Sequence, residues 1–474
     1  MTTIDHSHHT NGQATTVAPA ASQPTAPDPT APDPTAPDRT GPDTTASQSA
    51  APRPTASQPD PQHWAERPST PEGWLARAGE VSERLAVDAA ARDRAGATPY
   101  AEIALLKRAG LVTLLGPTAH GGGGQEWPTA YRVVREIAAG DGSIGQLLGY
   151  HYLWNWAARL VGTPEQIAAL EAEAARNQWF FGGAVNPRDA DVTIRDDGDQ
   201  LVFNGHKSFS TGSKVSDVTV LEGVLSGAVA GAGDGAGDSA GDSAAAHVFA
   251  IVPSDQPGIT FHDDWDNFGQ RLTESGGVTI AEVRVPWADA AGYVDKVFQP
   301  RVYNTLNVPT IQLVFVNFYL GIARGALRTA TAYTRGHSRA WLHGGQERAV
   351  DEPYQLDLYG DLASKLWAVE ALADRVAEEG LAIHRDPEHV TEHKRGEHEV
   401  RVAAVKARAT DVALELTSRI LEGTGARSTT SALAFDRFWR NVRTHTLHDP
   451  VAYKRREVGA YLLRDELPEP TWYS

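Results

Sequence analysis

The sequence predicts an α+β protein in which helices and strands occupy separate parts of the chain. Helical patterns with a period of 3.6 residues fill the first part of the folded region, and strand patterns with a period of two fill the middle. Long helical patterns return from Pro309 onward. Such segregated runs are typical of α+β proteins, whereas a doubly wound parallel sheet needs strands and helices in alternation.

The chain before the first helix has the composition of a disordered tail. Residues 1–68 are rich in Pro, Thr, Ala, Ser and Asp, with a near-repeat from Thr25 to Asp38. They contain too few apolar side chains to offset the entropy lost on ordering. They also lack the apolar stretch that a secretory signal requires.

Residues 69–177 are predicted to form an N-terminal helical domain of five helices. Thr70-Pro71 and Thr98-Pro99 have the residues that begin helices, and Thr163 to Gln166 form a capping box that opens the fifth. The third and fourth helices are predicted at Tyr131 to Ala139 and at about Ser143 to Leu160.

Residues 178–300 are predicted to form a middle β domain. A hairpin turn is indicated at Asp197-Gly198. Residues 226–246 are almost wholly Gly, Ala, Asp and Ser, which predicts a flexible insertion between two strands. The predicted strands are Trp179–Val185, Val192–Arg195, Gln200–Asn204, Val218–Val224, His247–Val252 and Val278–Val285.

Residues 301–474 are predicted to form a bundle of helices. Apolar residues recur there at helical spacing over long stretches, which favours helices packed against one another. The predicted helices are Pro309–Gly336, Asp351–Ile383, Glu399–Glu422, Ser431–Leu447 and Val451–Leu463.

The composition excludes several classes of site and of partner. Without Cys, the chain has no disulfides, thiolate metal sites or Cys nucleophiles. The net charge of −17 argues against binding nucleic acid, which needs a basic face. No uninterrupted apolar run long enough for a membrane span occurs. We expect a cytoplasmic protein that has no metal site and binds neither nucleic acid nor membrane.

Several motifs resemble those of the acyl-CoA dehydrogenase superfamily. Gly205 to Gly212, followed by Ser216-Asp217, is similar to the family's flavin-contacting segment. Leu421 to Arg427 is similar to its glycine-containing loop, and Phe438 to Arg443 to its Arg-rich segment. The resemblance implies an N-terminal helical domain, a middle β-barrel domain and a C-terminal four-helix bundle.

Within the superfamily, the chain most resembles the reduced-flavin monooxygenases typified by dibenzothiophene monooxygenase. The run from Phe435 to Lys454 carries this resemblance. It implies a monooxygenase that takes reduced FMN from a separate flavin reductase and oxygenates a small apolar substrate, which we expect to be an organosulfur compound. It also implies a homotetramer. The chain has no nicotinamide-binding fingerprint, which agrees with an external reductant.

His448 and Asp449 in this run are the leading candidate catalytic residues. Acyl-CoA dehydrogenases have a Glu as base where this chain has Asp449, and the family's second position for that base holds Ile311 here. The usual Glu is therefore missing from both places. Histidine is suited to proton transfer near neutral pH. We assign His448 as the proton-handling residue, with Asp449 orienting or balancing it. His445 lies three residues before His448 and shares a face with it if this stretch is helical.

The resemblance adds further residues to the site. It implies His151 and Ser216 as catalytic residues, Thr211, Gly212, Ser216 and His445 as flavin-binding residues, and Trp265, Asn307 and Arg188 as substrate-pocket residues. Arg335 and Arg427 are further candidates for binding the flavin, through its phosphate. Ordinary turn chemistry is an alternative for Ser216 and for Thr211-Gly212. A solvated or subunit-bridging role is an alternative for the two arginines, whose guanidinium groups suit phosphate. Arg188 and Asn307 differ from the dibenzothiophene enzyme, so a different substrate stays open.

Two other functions are compatible with the sequence. An acyl-CoA dehydrogenase with bound FAD would use Asp449 as its base, and a scaffold protein would keep the fold without activity. Asp449 has a shorter reach than Glu and precedes Pro450, which restricts its backbone. Geometry therefore disfavours abstraction of a substrate proton by Asp449.

Overall fold

The structure is a computed structural model that describes residues 63–186, 191–226 and 247–471. Arg188, almost all of the predicted insertion and the tail up to residue 62 lie outside these ranges. The described residues belong to one compact unit.

The five predicted N-terminal helices are present, with slightly wider bounds. The Thr70 hydroxyl accepts a hydrogen bond from the Gly73 backbone N–H, and Thr163 and Gln166 make both bonds of the capping box. The helices are α1 Pro71–Ala95, α2 Tyr100–Arg108, α3 Trp127–Gly140, α4 Gly142–Val161 and α5 Pro164–Asn177.

The packed part of the chain begins earlier than the composition predicts. Trp64, assigned to the tail, is buried in the core, and its indole N–H donates to the carboxylate of Glu80 on α1. The Arg77 guanidinium donates to the backbone oxygens of Glu66 and Ala109. A single aromatic residue at the end of a Pro-rich stretch is a weak compositional signal, so only the tertiary contacts reveal this boundary.

The six predicted strands are present, and β6 and the hairpin β8–β9 are additional. The turn between β2 and β3 contains Gly198 at φ 75°, as the Asp-Gly signal indicates. The strands are β1 Phe181–Ala184, β2 Thr193–Asp197, β3 Gln200–Lys207, β4 Val218–Leu225, β5 His247–Pro253, β6 Ile259–Phe261, β7 Val278–Pro286, β8 Tyr293–Val294 and β9 Val297–Phe298.

The β domain is a curled sheet around its own core. Seven strands pair in the order β1-β4-β2-β3-β7-β6, with β5 also beside β4. Ala184 of β1, Val248 of β5 and Ile280 of β7 meet in one apolar cluster, which shows that the sheet bends around it. Among the described residues the end strands β1 and β6 do not pair with each other. The predicted barrel is therefore a curled, open sheet.

The C-terminal helices surround one central helix, α6. The stretch Val302–His337, which includes α6, is apolar and long enough to cross a membrane, but 89% of its most apolar window is buried inside the protein. It is therefore placed as a core helix. The helices are α6 Asn307–His337, α7 Pro353–His384, α8 Glu392–Thr424, α9 Asp436–His445 and α10 Val451–Arg464.

Helix α8 begins seven residues before its predicted start. The Thr391 hydroxyl accepts from the Lys394 backbone N–H and caps it. Arg395 and Glu399 in the first turns are fully buried, with 3.8 Å between guanidinium and carboxylate. Buried charges at core positions interrupt the apolar period, which explains why the sequence pattern missed this turn.

Candidate active site

His445 is a buried histidine at the C-terminal end of α9. Its Nε2 lies 3.0 Å from the hydroxyl of Tyr150 on α4, and its Nδ1 lies 2.8 Å from the hydroxyl of Tyr319 on α6. Burial lowers the pKa of His445 well below 6.5, and the neighbouring His448 and Lys406 act in the same direction. The ring is therefore neutral, and both nitrogens are already occupied. This geometry leaves His445 no nitrogen for the predicted flavin contact.

His448 follows in the turn after α9 and has a different environment. Its ring stacks on His445 at 5.3 Å and 1°, and Phe315 lies 5.3 Å away. The side chain is exposed, and among the described residues neither ring nitrogen has a hydrogen-bond partner. Protein surrounds the ring on its other sides, and this desolvation lowers the pKa of His448 below 6.5. Both nitrogens are thus available to a ligand.

Asp449 is held by two neighbours on a single oxygen. Its Oδ2 accepts hydrogen bonds from the Lys406 ammonium at 2.6 Å and from the Gln312 amide at 2.7 Å. Burial is the largest single effect and opposes ionisation of the carboxyl, but the charge and the hydrogen bond of Lys406, together with the charges of Lys454 and His448, lower the pKa of Asp449 below 3.8. Asp449 is therefore an anchored anion and a weak base, which supports its predicted orienting or balancing role.

Four of these neighbours were missed in the sequence. Gln312, Phe315 and Tyr319 lie on one face of α6, spaced by three and four residues. The same spacing is typical of any helix face that packs against the core, so the sequence does not mark this amide and these two aromatic residues as part of a site. Lys406 resembles a solvated lysine of a long helix, and its burial is not encoded locally.

The segment after β3 approaches the same region from the β domain. Gly212 is in the left-handed conformation at φ 78°, and a Cβ at this position would lie 3.4 Å from Leu147 of α4. The Thr211 hydroxyl lies 2.9 Å from that of Ser275. Thr211 and Gly212 therefore pack beside α4, the helix that also carries Tyr150.

Unpaired polar atoms accumulate where these elements meet. Ser210 Oγ, Gln146 Oε1 and both amide atoms of Gln270 are buried and lack hydrogen-bond partners among the described residues. Gln146 lies one turn before Tyr150 on α4, and the Gln270 backbone N–H donates to Asn441 of α9. Buried polar atoms without a hydrogen-bond partner are rare in protein interiors. A planar ring with donors and acceptors along its edges could form hydrogen bonds with these atoms. This donor set fits the ring system of FMN.

The family follows from comparison with known proteins. The model for the N-terminal domain of acyl-CoA dehydrogenases matches residues 77–177, and the model for their C-terminal domain matches residues 313–452.

The chain belongs to the acyl-CoA dehydrogenase family.

Monooxygenases are among its similar relatives. A dibenzothiophene monooxygenase of Mycolicibacterium goodii is 39% identical and aligns with 84% of this chain and 95% of its own length. The probable FMNH2-dependent monooxygenase SfnC of Pseudomonas putida is 36% identical over 85% of this chain and 98% of its own. The FMN-bound structure of TdsC from Paenibacillus sp. A11-2 superimposes with a TM-score of 0.77 at 39% identity, over 85% of this chain and all of that one. The predicted fold and family are confirmed.

The side chain of His151 is hydrogen-bonded to backbone groups and to none of the other predicted site residues that the structure describes. Its Nε2 lies 2.7 Å from the Val112 backbone oxygen, and its Nδ1 accepts from the Phe181 backbone N–H at 3.0 Å. The ring is fully buried, and desolvation lowers the pKa of His151 to about 4. The side chain ties α4 to β1 as a neutral imidazole. A catalytic role for His151 is therefore not supported by this geometry.

Ser216 is part of a cluster of hydroxyl groups. Its hydroxyl lies 2.7 Å from the Ser213 backbone oxygen and 2.8 Å from the Ser254 hydroxyl. Donation to the Ser213 oxygen uses its only proton, as the turn alternative requires. Turn chemistry accounts for the bond to Ser213, and the predicted catalytic and flavin-binding contacts of Ser216 stay predictions.

Arg335 and Arg427 lie at the far end of the helical bundle. Arg335 is 20 residues beyond Phe315 on α6, which corresponds to about 30 Å along the helix. It lines a cavity of about 980 Å³ with Arg339 and Arg348. Thr334 and the Gly423 backbone oxygen are hydrogen-bonded, so the loop that carries Arg427 is at the same end. Within one chain, neither arginine can share a flavin with His448.

The structure describes two of the three predicted substrate-pocket residues, Trp265 and Asn307. The Trp265 indole donates to the Gln270 backbone oxygen at 2.8 Å, and its ring meets Phe209 edge-on at 6.3 Å. Asn307 is the first residue of α6, two turns before Phe315. Arg188 lies outside the described ranges. All three assignments stay predictions.

Proposed function

We propose that this chain is an FMNH2-dependent monooxygenase that transfers one oxygen atom from O2 to a small organosulfur substrate. The names of its relatives support this class of activity and FMN as the flavin. One observation in the chain carries the proposal. His448 presents two free ring nitrogens beside a carboxylate that is already neutralised by Lys406.

The residues of the site divide the work. Bound reduced FMN supplies the electrons and the activation of oxygen, so that one oxygen atom enters the substrate and the other leaves as water. His448 holds and moves the proton that this reaction needs, because a neutral imidazole both donates and accepts. Asp449 fixes the charge beside it. The rings of Phe315 and His445 form an apolar wall that limits access of water.

Thr211 and Gly212 contact the flavin ring in this proposal, and Trp265 and Asn307 contribute to the substrate pocket. Thr211-Gly212 lies against α4 beside the unpaired polar atoms. The exposed aromatic surface of Phe209 next to Trp265 suits a flat ligand.

A second copy of the chain is part of the proposal. Arg335 and Arg427 are too far from His448 of their own chain, so their predicted contact with the flavin phosphate requires a neighbouring subunit. Helix α7 has an exposed apolar face formed by Leu356, Gly360, Trp367 and Ala371 at helical spacing, with Trp367 64% exposed. Such a face marks an interaction surface. We therefore propose the homotetramer that the resemblance implies, in the cytoplasm together with its reductase.

The activity is tested by isotope incorporation. Protein, FMN, a flavin reductase and NADH are incubated under 18O2 with thioethers, thiophenes and sulfones, and products are analysed by mass spectrometry. We expect one 18O atom per product molecule, dependent on the reductase. Incorporation of 18O from labelled water instead would contradict the proposal.

The dehydrogenase alternative has its own test. An acyl-CoA dehydrogenase base must reach a substrate carbon, but Asp449 is tied to Lys406 and Gln312 through Oδ2. We expect no anaerobic reduction of protein-bound flavin by a panel of acyl-CoA thioesters. Rapid bleaching of the flavin by any of them would favour the dehydrogenase.

A further inference from the structure

We propose that Lys406 is a positioning residue of this site, which anchors Asp449 and sets the charge that surrounds His448. The proposal rests on the proposed function, because it takes His448 as the proton-handling group.

Lys406 is unusual for a lysine because its side chain is almost fully buried. Its side chain is 1% exposed, whereas that of its partner Asp449 is 35% exposed. The ammonium lies 5.2 Å from the Phe315 ring, and that ring also packs against His448. Burial of an ammonium group costs several kcal/mol unless a partner compensates, and apolar residues often replace such pairs without loss of stability. Stability alone therefore does not explain a lysine at this position.

Among the described residues, the two side chains that donate to Asp449 leave its second carboxylate oxygen, Oδ1, without a donor. Lys406 and Gln312 approach the same atom, Oδ2, from α8 and α6. Two bonds to one oxygen fix the carboxylate plane, so that it cannot swing toward a ligand. Asp449 immediately follows His448, and anchoring one residue restricts the backbone of the other.

Several groups face His448 from the elements packed around it. Lys406 from α8 disfavours the imidazolium, and Asp449 favours it. His445 of α9 is neutral and is hydrogen-bonded to the hydroxyls of Tyr150 and Tyr319, which carry no charge. Lys454 of α10 is paired with the carboxylates of Glu399 and Glu457. Desolvation is the largest influence on the charge of His448, and among its charged neighbours Asp449 and Lys406 act on that charge in opposite directions.

The test is a histidine titration in the flavin-free protein. Carbon-13-labelled histidine is followed by NMR from pH 4 to 8, and the His448 signal is assigned by its loss in His448→Gln. In Lys406→Met we expect the pKa of His448 to rise by about one unit or more, because the carboxylate acts alone. In Asp449→Asn we expect it to fall. The double variant should lie closer to the native protein than either single variant.

Lys365→Met is the matched control. This lysine of α7 pairs with Asp361 and Glu415, but it is 39% exposed and belongs to a different part of the bundle. We expect no change in the His448 titration. If Lys406→Met fails to fold, Lys406→Gln carries the test, since its amide can still donate to the Asp449 carboxylate but has no charge, and there too the pKa of His448 should rise. An unchanged titration in the folded Lys406 and Asp449 variants overturns the proposal.

Turnover connects the titration to the reaction. In Lys406→Met the acid limb of the pH profile of kcat/KM should move in the same direction as the His448 pKa, whereas loss of stability alone lowers the profile without moving it. If the variants shift the His448 pKa as expected but the native protein oxygenates no substrate, the proposed function is rejected and the assignment of Lys406 stays intact. Normal oxygenation with an unshifted titration would reject only the assignment.

Discussion

At the scale of single residues, the three histidines predicted for the site differ in what their nitrogens contact. His151 bonds two backbone groups, and His445 lies between two tyrosine hydroxyls. His448 has neither kind of contact among the residues that the structure describes. A histidine that is neutral and fully hydrogen-bonded holds the fold together, whereas one with free nitrogens can exchange protons.

Replacement of His448 tests its role directly. In His448→Gln we expect oxygenation to fall by about two orders of magnitude or more, which is typical for loss of a general acid–base group. Release of hydrogen peroxide from reduced FMN should persist or increase. The measurement compares product formation with peroxide under identical flavin supply.

The exposed surface residue His120 provides the control, since His120→Gln should leave both quantities unchanged. Coupled oxygenation at the native rate in His448→Gln would show that another group handles the proton.

Replacement of His151 should affect stability instead. In His151→Ala the Val112 carbonyl and the Phe181 N–H both lose a buried partner, and each unpaired group costs about 1–3 kcal/mol. We expect a clear decrease in the free energy of unfolding, measured by urea denaturation. The pH profile of oxygenation by the remaining folded protein should not move. A variant of native stability with an altered profile would restore the predicted catalytic role.

At the scale of elements, helix α1 requires a residue from before its own start. Trp64 packs against this helix, with the Arg84 guanidinium 5.0 Å from the Trp64 ring. The capping box at Thr163 and the cap at Thr70 were local and predictable, whereas this contact joins residues 16 to 20 positions apart with no periodic signal. The sequence therefore predicted the helix ends at Thr70 and Thr163 better than it predicted where the packed part of the chain begins.

The boundary before α1 is tested by two changes. Deletion of residues 1–60 should leave the melting temperature and the activity unchanged, because their composition cannot supply a core. Trp64→Ala should lower the free energy of unfolding by about 3 kcal/mol, since a buried aromatic side chain is lost. Trp341→Ala is the control, because that side chain is 70% exposed. Equal losses in the two Trp variants would contradict the assigned boundary.

At the scale of the whole molecule, buried neutral histidines occupy the junctions between elements. His151 lies between α4 and β1, and His398 of α8 packs against Gly380 of α7. His384 packs against the rings of Trp127 and Trp156. Desolvation lowers the pKa of His151 and His398 to about 4 and that of His384 to about 3.

These histidines predict a loss of stability at mildly acidic pH. Their pKa values lie below the 6.5 of an unfolded chain, so between pH 6.5 and about 4 the unfolded state binds more protons. Stability is fully present above pH 6.5 and decreases as the pH falls, with a slope of up to about 1.4 kcal/mol per pH unit for each histidine. Urea unfolding at pH 7.5, 6.5 and 5.5 measures the slope.

His384→Gln should make that slope shallower, because one of the buried groups with a lowered pKa no longer titrates. A free energy of unfolding that stays constant between pH 7.5 and 5.5 would show that these histidines titrate normally in the folded protein.

Local chemistry determined much of this protein. The period of the apolar residues established the order of helices, curled sheet and helices, and residues such as Thr70, Thr163 and Gly198 set ends and turns through contacts a few positions apart. The run from Phe435 to Lys454 placed His448 and Asp449 next to each other for the same reason. Such information lies within single elements, so it survives in the sequence.

Only the tertiary structure decided which of the predicted residues share a site. Lys406 and Asp449 are 43 positions apart and touch. Arg335 and His448 were predicted for one site, but His448 packs on Phe315, which is 20 residues before Arg335 on α6. Whether a histidine nitrogen is free or occupied likewise depends on a distant backbone group or hydroxyl. These relations follow from how helices cross and how the sheet curls, and neither is written in the period of a single element.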